Sequence, residues 1–192
     1  MANVDAPNGL KPVRHLTGGA IRPNEWKIAS GLSTAIFTGD CVKLLSTGYI
    51  DECDAGDRIL GVFAGCSYVN SDGEQVFSRQ WTASATTQGS ADVTAYVYSD
   101  PNIVFAVQSA GSADFADIGQ LADIVATAGS TTTGQSKHEI SGTTGTGTAN
   151  LRILGLYNEP KNAYGTNGVL EVVIHEHELN QHIDFEDSNV GV

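Results

Sequence analysis

From residue 35 onward, turn-forming residues cut this chain into short runs of β-branched and aromatic side chains, a spacing that leaves room for strands but not for long helices. Ala35-Ile36-Phe37 meets Thr38-Gly39-Asp40, and Cys41-Val42-Lys43-Leu44-Leu45 meets Ser46-Thr47-Gly48. The run from Arg58 to Val69 is apolar enough for a central strand, with Gly61 and Gly65 marking bulges or close backbone approaches. Asn70-Ser71-Asp72-Gly73 is a hairpin signal. Its return strand spans residues 75–82, where Val76, Ser78 and Gln80 alternate with Phe77, Arg79 and Trp81. Further strands are expected at residues 93–98 and 103–107, hinged by Ser99-Asp100-Pro101-Asn102, and at residues 151–157 and 169–179. About eight short strands with frequent turns predict a mainly β fold, an antiparallel barrel or sandwich.

Two segments read differently. Phe115, Ile118, Leu121, Ala122 and Val125 fall near helical spacing after Ser112, which predicts one short helix over residues 114–125, made irregular by Gly119. Residues 130–147 are rich in Thr, Ser and Gly and are interrupted by Lys137-His138-Glu139-Ile140, the pattern of a long loop or hairpin of low complexity.

Charge narrows the function. With 22 acidic against 10 basic residues, the net charge of −12 excludes a general nucleic-acid binder and disfavours an anionic membrane surface. No stretch approaches the roughly 20 apolar residues of a membrane helix, and the start lacks the basic and apolar regions of a signal peptide, so an untargeted soluble protein is expected. Cys41, Cys53 and Cys66 are odd in number and match no zinc spacing, which predicts three reduced thiols.

The first residues stand apart. Lys11, Arg14, Arg22 and Lys27 outweigh Asp5 and Glu25, while Pro7, Pro12 and Pro23 with Gly9, Gly18 and Gly19 discourage helices and central strands. This predicts an extended basic arm over residues 1–28, a β-rich domain over 29–180 and an acidic tail over 181–192. A basic arm suits an acidic surface, either a neighbouring copy or its own domain. Lys11, Val13, Arg14, Leu16, Ile21, Arg22 and Trp26 are the candidate partner-binding residues.

Catalytic signatures are absent from the sequence: no G-x-S-x-G elbow, no phosphate loop and no helical H-E-x-x-H. Gly145-Thr146-Gly147 has Asn150 where a dinucleotide fingerprint needs its third glycine, and Asp51-Glu52-Cys53-Asp54-Ala55-Gly56-Asp57 reads as an acidic turn rather than a calcium loop. The expectation is a non-enzyme with no cofactor. The rival is His175-Glu176-His177-Glu178, where two imidazoles on one strand face could share a metal with His182 in a small-barrel enzyme. Its spacing loosely resembles the first metal motif of cupin barrels, but the glutamate expected after the second histidine is missing. A further rival is a recognition domain for a glycan or host surface, with Trp81, Tyr96, Tyr98, Tyr157 and Tyr164 as an aromatic platform.

Several segments together resemble the decoration, or cement, proteins of tailed-bacteriophage heads: the opening Ala2-Asn3-Val4-Asp5-Ala6-Pro7-Asn8-Gly9-Leu10-Lys11-Pro12-Val13-Arg14-His15-Leu16, then Gly56-Asp57-Arg58-Ile59-Leu60-Gly61-Val62-Phe63, Asp100-Pro101-Asn102-Ile103-Val104-Phe105, and Leu151-Arg152-Ile153-Leu154-Gly155-Leu156 with Asn158-Glu159-Pro160. The resemblance spans nearly the full length and implies a β-rich virion protein. Such a protein assembles in the host bacterial cytoplasm on the capsid exterior, binds the major capsid protein and associates as a dimer or trimer.

Overall fold

The computed structural model describes residues 3–145, 147 and 149–180. Its strands are short, as the turn spacing requires: β1 (Lys11–His15), β2 (Asn24–Ile28), β3 (Ile36–Phe37), β4 (Cys41–Leu44), β5 (Ile50–Glu52), β6 (Gly61–Val69), β7 (Gln75–Ser78), β8 (Gln80–Trp81) and β9 (Val93–Tyr98). The second half adds β10 (Ile103–Gln108), β11 (Ser112–Ala113), β12 (Leu121–Ala122), β13 (Ile124–Val125), β14 (Glu139–Ile140), β15 (Leu151–Leu156), β16 (Gly165–Thr166) and β17 (Val169–Ile174).

They form a mainly β, sandwich-like structure of antiparallel sheets rather than a closed barrel. The first sheet runs β2-β9-β6-β4-β5, with β7 folded back onto β6, and draws on residues 24–98. The second runs β1-β10-β17-β15-β12 and, apart from β1, draws on residues 103–174. Each half of the chain thus builds one sheet, and β1 alone crosses over. Three short pairs, β3 with β8, β11 with β16 and β13 with β14, close the ends.

Alternation along the strands divides the core. Cys41 and Val62 of the first sheet pack with Ile103, Phe105, Val107, Leu151, Ile153, Leu170 and Val172 of the second. Their neighbours Val42 and Phe63 point the other way, into a second cluster with Val93, Ala95, Val97 and Ile28 that Ile36 and Trp81 cover. The first sheet is therefore buried on both faces, which explains the unbroken apolar run that forms β6. Both glycines of β6 act as expected. A Cβ on Gly61 would collide with the Tyr98 carbonyl of β9, and Gly65, at φ +144°, sits where the β6–β9 register slips between Phe63 and Gly65.

Three expectations need correction. No helix forms over residues 114–125: Asp114 and Asp117 close a reciprocal capping box around a single 3-10 turn, Phe115–Asp117, which Ile118 ends in extended conformation ahead of Gly119 at φ +85°. Leu121 and Ala122 then pair with Arg152 and Leu151 as strand β12, so burial against β15 overrides the helical spacing. The return strand over 75–82 is broken between β7 and β8, where the Ser78 hydroxyl bonds to both backbone groups of Gln80. Phe77 and Trp81, of equal parity, consequently end in opposite environments, one exposed and one fully buried. The last strand stops at Ile174, short of residue 179.

Candidate functional site

The segment read as an arm lies along its own chain. β1 takes the edge of the second sheet beside β10, and β2 takes the edge of the first beside β9, edge positions being where Pro12 is tolerated. Between them, His15 fastens the turn: its Nδ1 accepts the amides of Thr17 and Gly19, and its Nε2 lies 3.1 Å from Asp100 Oδ2. Asp100 is held below the usual carboxylate range by the Asn102 amide and then by His15. Of the seven candidate partner-binding residues, Arg14 pairs with Glu171 at 2.7 Å, Ile21 packs against the inter-sheet core, and Trp26 packs against the second cluster with its Nε1 donating to Ser99 Oγ. Val13 is half-buried, whereas Lys11, Leu16 and Arg22 are exposed. Four of the seven are thus engaged or half-covered in cis, and three face outward.

Among the described residues, His175 and His177 are not part of a group of three potential metal ligands. His175 and His177 lie beyond β17, with the His175 amide bonded to the Asn150 carbonyl, and His177 is buried with Nδ1 accepting the Leu179 amide at 3.0 Å. Burial pushes its pKa down to about 4. His182 and the acidic tail over 181–192 lie outside the described residues. The aromatic platform is not assembled from its candidates either: Trp81 is fully buried, Tyr98 packs on the core, and the Tyr96 hydroxyl bonds to Ser67 Oγ. All three cysteines are free and buried, and burial raises the Cys53 and Cys66 thiols to about 12, which leaves them unreactive.

What the surface does offer is a fixed apolar patch. The capped turn after β11 holds Phe115 71% exposed, and its ring meets Tyr164, ahead of β16, edge to face with centroids 6.0 Å apart. Ile118, 40% exposed, ends the same turn. Pairing of β11 with β16 (Ser112 with Thr166, Ala113 with Gly165) brings the two aromatics together from 49 residues apart, 164 − 115. The sequence places Phe115 and Ile118 at helical spacing in a short helix over residues 114–125 and does not single them out as a surface. Their only signal was the Asp114/Asp117 spacing, which caps one turn as readily as several.

A second feature escaped the sequence entirely. Asp40 and Glu52, at one end of the β4–β5 hairpin, and His138, 86 residues beyond Glu52, place a carboxylate oxygen each and an imidazole nitrogen within 4.8 Å of one another. Elsewhere, residues 3–9 cross the outer face of β10, where Gln108 donates to the Val4 and Asn167 carbonyls and accepts the Ala6 amide. A cavity of about 620 Å³ opens beside them, lined by Val13, Ala106, Tyr157 and Val169 among others. Among the described residues no helix is long and apolar enough to cross a membrane. Comparison with known protein families, with curated proteins and with solved structures gives no match to this chain.

Proposed function

We propose that this chain is a non-enzymatic structural protein of a tailed-phage virion, a decoration protein that seats on the exterior of the expanded head and strengthens contacts between capsomers. The observation that carries the reading is the Phe115–Ile118–Tyr164 patch. In a chain of net charge −12, an aromatic pair locked by a capped turn and a strand pair is a poor solvent face and a good contact surface. The likeness of the sequence segments to head decoration proteins supplies the partner, the major capsid protein, and a dimeric or trimeric association. Exposed Lys11, Leu16 and Arg22 add a second contact line along β1 and the turn after it. Self-repulsion of the acidic domain keeps copies apart until shell sites exist, and many simultaneous sites per particle then offset the ordering cost of each.

Co-sedimentation of the purified full chain with undecorated expanded heads, beside unexpanded proheads, tests the reading. Saturable binding to the expanded shell alone is expected, and Phe115→Ser with Tyr164→Ser weakens it at least about tenfold with an unchanged melting temperature. Failure of the wild-type chain to bind either shell overturns it.

A further inference from the structure

The Asp40–Glu52–His138 group has the composition, spacing and burial of a ligand set for a cation. Asp40 sits in the tight turn from β3 to β4, where its backbone amide donates to the Phe37 carbonyl and its Oδ2 accepts the Phe37 amide at 2.6 Å. That leaves Oδ1, fully buried and without a hydrogen-bond partner. A carboxylate oxygen in this position is costly unless something positive faces it. Burial raises the Asp40 carboxyl above its ordinary value, with His138, the Ser136 hydroxyl and the Phe37 amide acting against it.

What faces it is His138, also fully buried and anchored through its amide to Ser136 Oγ. Its Nε2 lies 3.4 Å from Asp40 Oδ1 and 3.0 Å from Glu52 Oε1. Two carboxylates therefore converge on one imidazole nitrogen. The Lys and Arg ion pairs of the described residues, Arg14 with Glu171 and Lys43 with Asp57, lie elsewhere and supply no charge to the cluster. As ligands, two carboxylates and one neutral imidazole supply a charge of −2, which a divalent cation cancels.

The spacing selects among cations. Ligand bonds of about 2.0–2.1 Å around a tetrahedral ion place neighbouring donor atoms about 3.3 Å apart. The distances of 3.0 and 3.4 Å bracket that value, and all three donors lie within 4.8 Å. Calcium would demand six to eight oxygens, and magnesium an octahedron rich in water. One nitrogen and two carboxylate oxygens in a buried corner suit zinc, or another first-row divalent ion of the same geometry.

We propose that Asp40, Glu52 and His138 bind one zinc ion per chain as a structural site, with a water completing the tetrahedron on the side where Glu52 reaches solvent. The Glu52 side chain is 23% exposed and both of its partners are wholly buried, so that side is the one open to water. The ion would pin the Thr/Ser/Gly-rich stretch that carries His138, already bridged to Thr38, to the end of the β4–β5 hairpin. Nδ1 accepts the Cys41 amide at 3.4 Å, and zinc at Nε2, which moves the ring proton to Nδ1, would break this long bond. That amide is therefore a local reporter of occupancy. The competing arrangement is the neutral ring with its proton on Nε2, shared with Glu52, and Nδ1 accepting the Cys41 amide.

The test uses the full-length chain purified without a nickel column, stripped with chelator and titrated with zinc sulfate by calorimetry, by thermal melting and, with cobalt substituted, by visible absorption. Expected are about one zinc per chain, a rise in melting temperature of about 5 °C or more at saturation, tetrahedral cobalt bands and a shift of the Cys41 amide resonance. Glu52→Gln, at the partly exposed ligand, leaves the chain folded and weakens zinc at least about tenfold. His138→Gln removes the zinc-dependent rise in melting. No zinc or cobalt uptake, a melting temperature indifferent to metal, or uptake that survives Glu52→Gln at full affinity overturns the proposal, as does a His138 ring proton that stays on Nε2 in the presence of zinc. None of these readouts involves a capsid, so their failure is separable from failure of the decoration role.

Discussion

His177 is neutral because it is buried: the packing that removes its ring from water pushes its pKa from 6.5 to about 4, Asp100 opposing and Arg58 reinforcing the shift. The unfolded chain takes up this proton near pH 6.5, whereas the folded chain resists until near 4. Its contribution to stability is thus intact above pH 6.5 and is lost as pH falls toward 4, by about 3 kcal/mol in total. His177→Asn keeps an acceptor for the Leu179 amide while removing the titration, so urea denaturation of the variant between pH 7 and 4 is expected to show a correspondingly flatter profile than the wild type. Asn150 is the other residue that organises its surroundings. Its buried side chain accepts the Ile124 and Gly56 amides and donates to the Asp57 carbonyl, and its own carbonyl accepts the His175 amide. Asn150→Ala strands these groups and is expected to cost about 2–4 kcal/mol in chemical denaturation. In the sequence this residue showed only as the failed third position of a glycine motif, because its partners lie 25 or more residues away and no local pattern encodes them. The same holds for Asp40, Glu52 and His138, whose separations carry no ligand spacing and whose histidine stood in a low-complexity stretch.

At the scale of elements, the β-bulges offer a controlled comparison. Gly65 and Gly155 both sit at register shifts, β6 against β9 and β15 against β17. Gly65 is at φ +144° with the Ser78 carbonyl oxygen 2.9 Å from where a Cβ would stand, while Gly155 meets nothing within 4 Å and lacks a positive φ. Gly65→Ala is therefore expected to lower stability by about 1–3 kcal/mol and Gly155→Ala to change it by less than about 0.5, as thermal melts of the pair would show. Strand positions such as β9, found where the sequence places them, were legible because period-two alternation and flanking turns act locally. The false helix was not, because its apolar spacing satisfied two periods at once. Which one wins was decided by a remote partner, Leu151 and Arg152 of β15.

At the scale of the molecule, the opening 28 residues are structural and not an appendage. Deleting residues 2–22 removes β1 and buried Leu10 and bares the edge of β10. The expected outcome is an aggregating or strongly destabilised protein, read by light scattering and circular dichroism, rather than a folded domain that has merely lost an adhesive arm. The basic and proline-rich composition announced that this segment is extended. It could not reveal that Glu171, 157 residues from Arg14, would be the acid that receives it.

The division of the sheets between the two halves of the chain also sets a timetable on the ribosome. The first sheet has all its strands once residue 98 has emerged, but β1 waits for Ala106, 95 residues after its partner Lys11, and β10 waits further for β17. At about 5–20 residues per second, Lys11 precedes its mate by roughly 5–20 s. Throughout that interval the earliest strand made is a lone ribbon beside a nearly finished sheet, free to pair with the same strand position of a chain on the next ribosome. Exchange of β1 between nascent neighbours is therefore the built-in hazard of this topology.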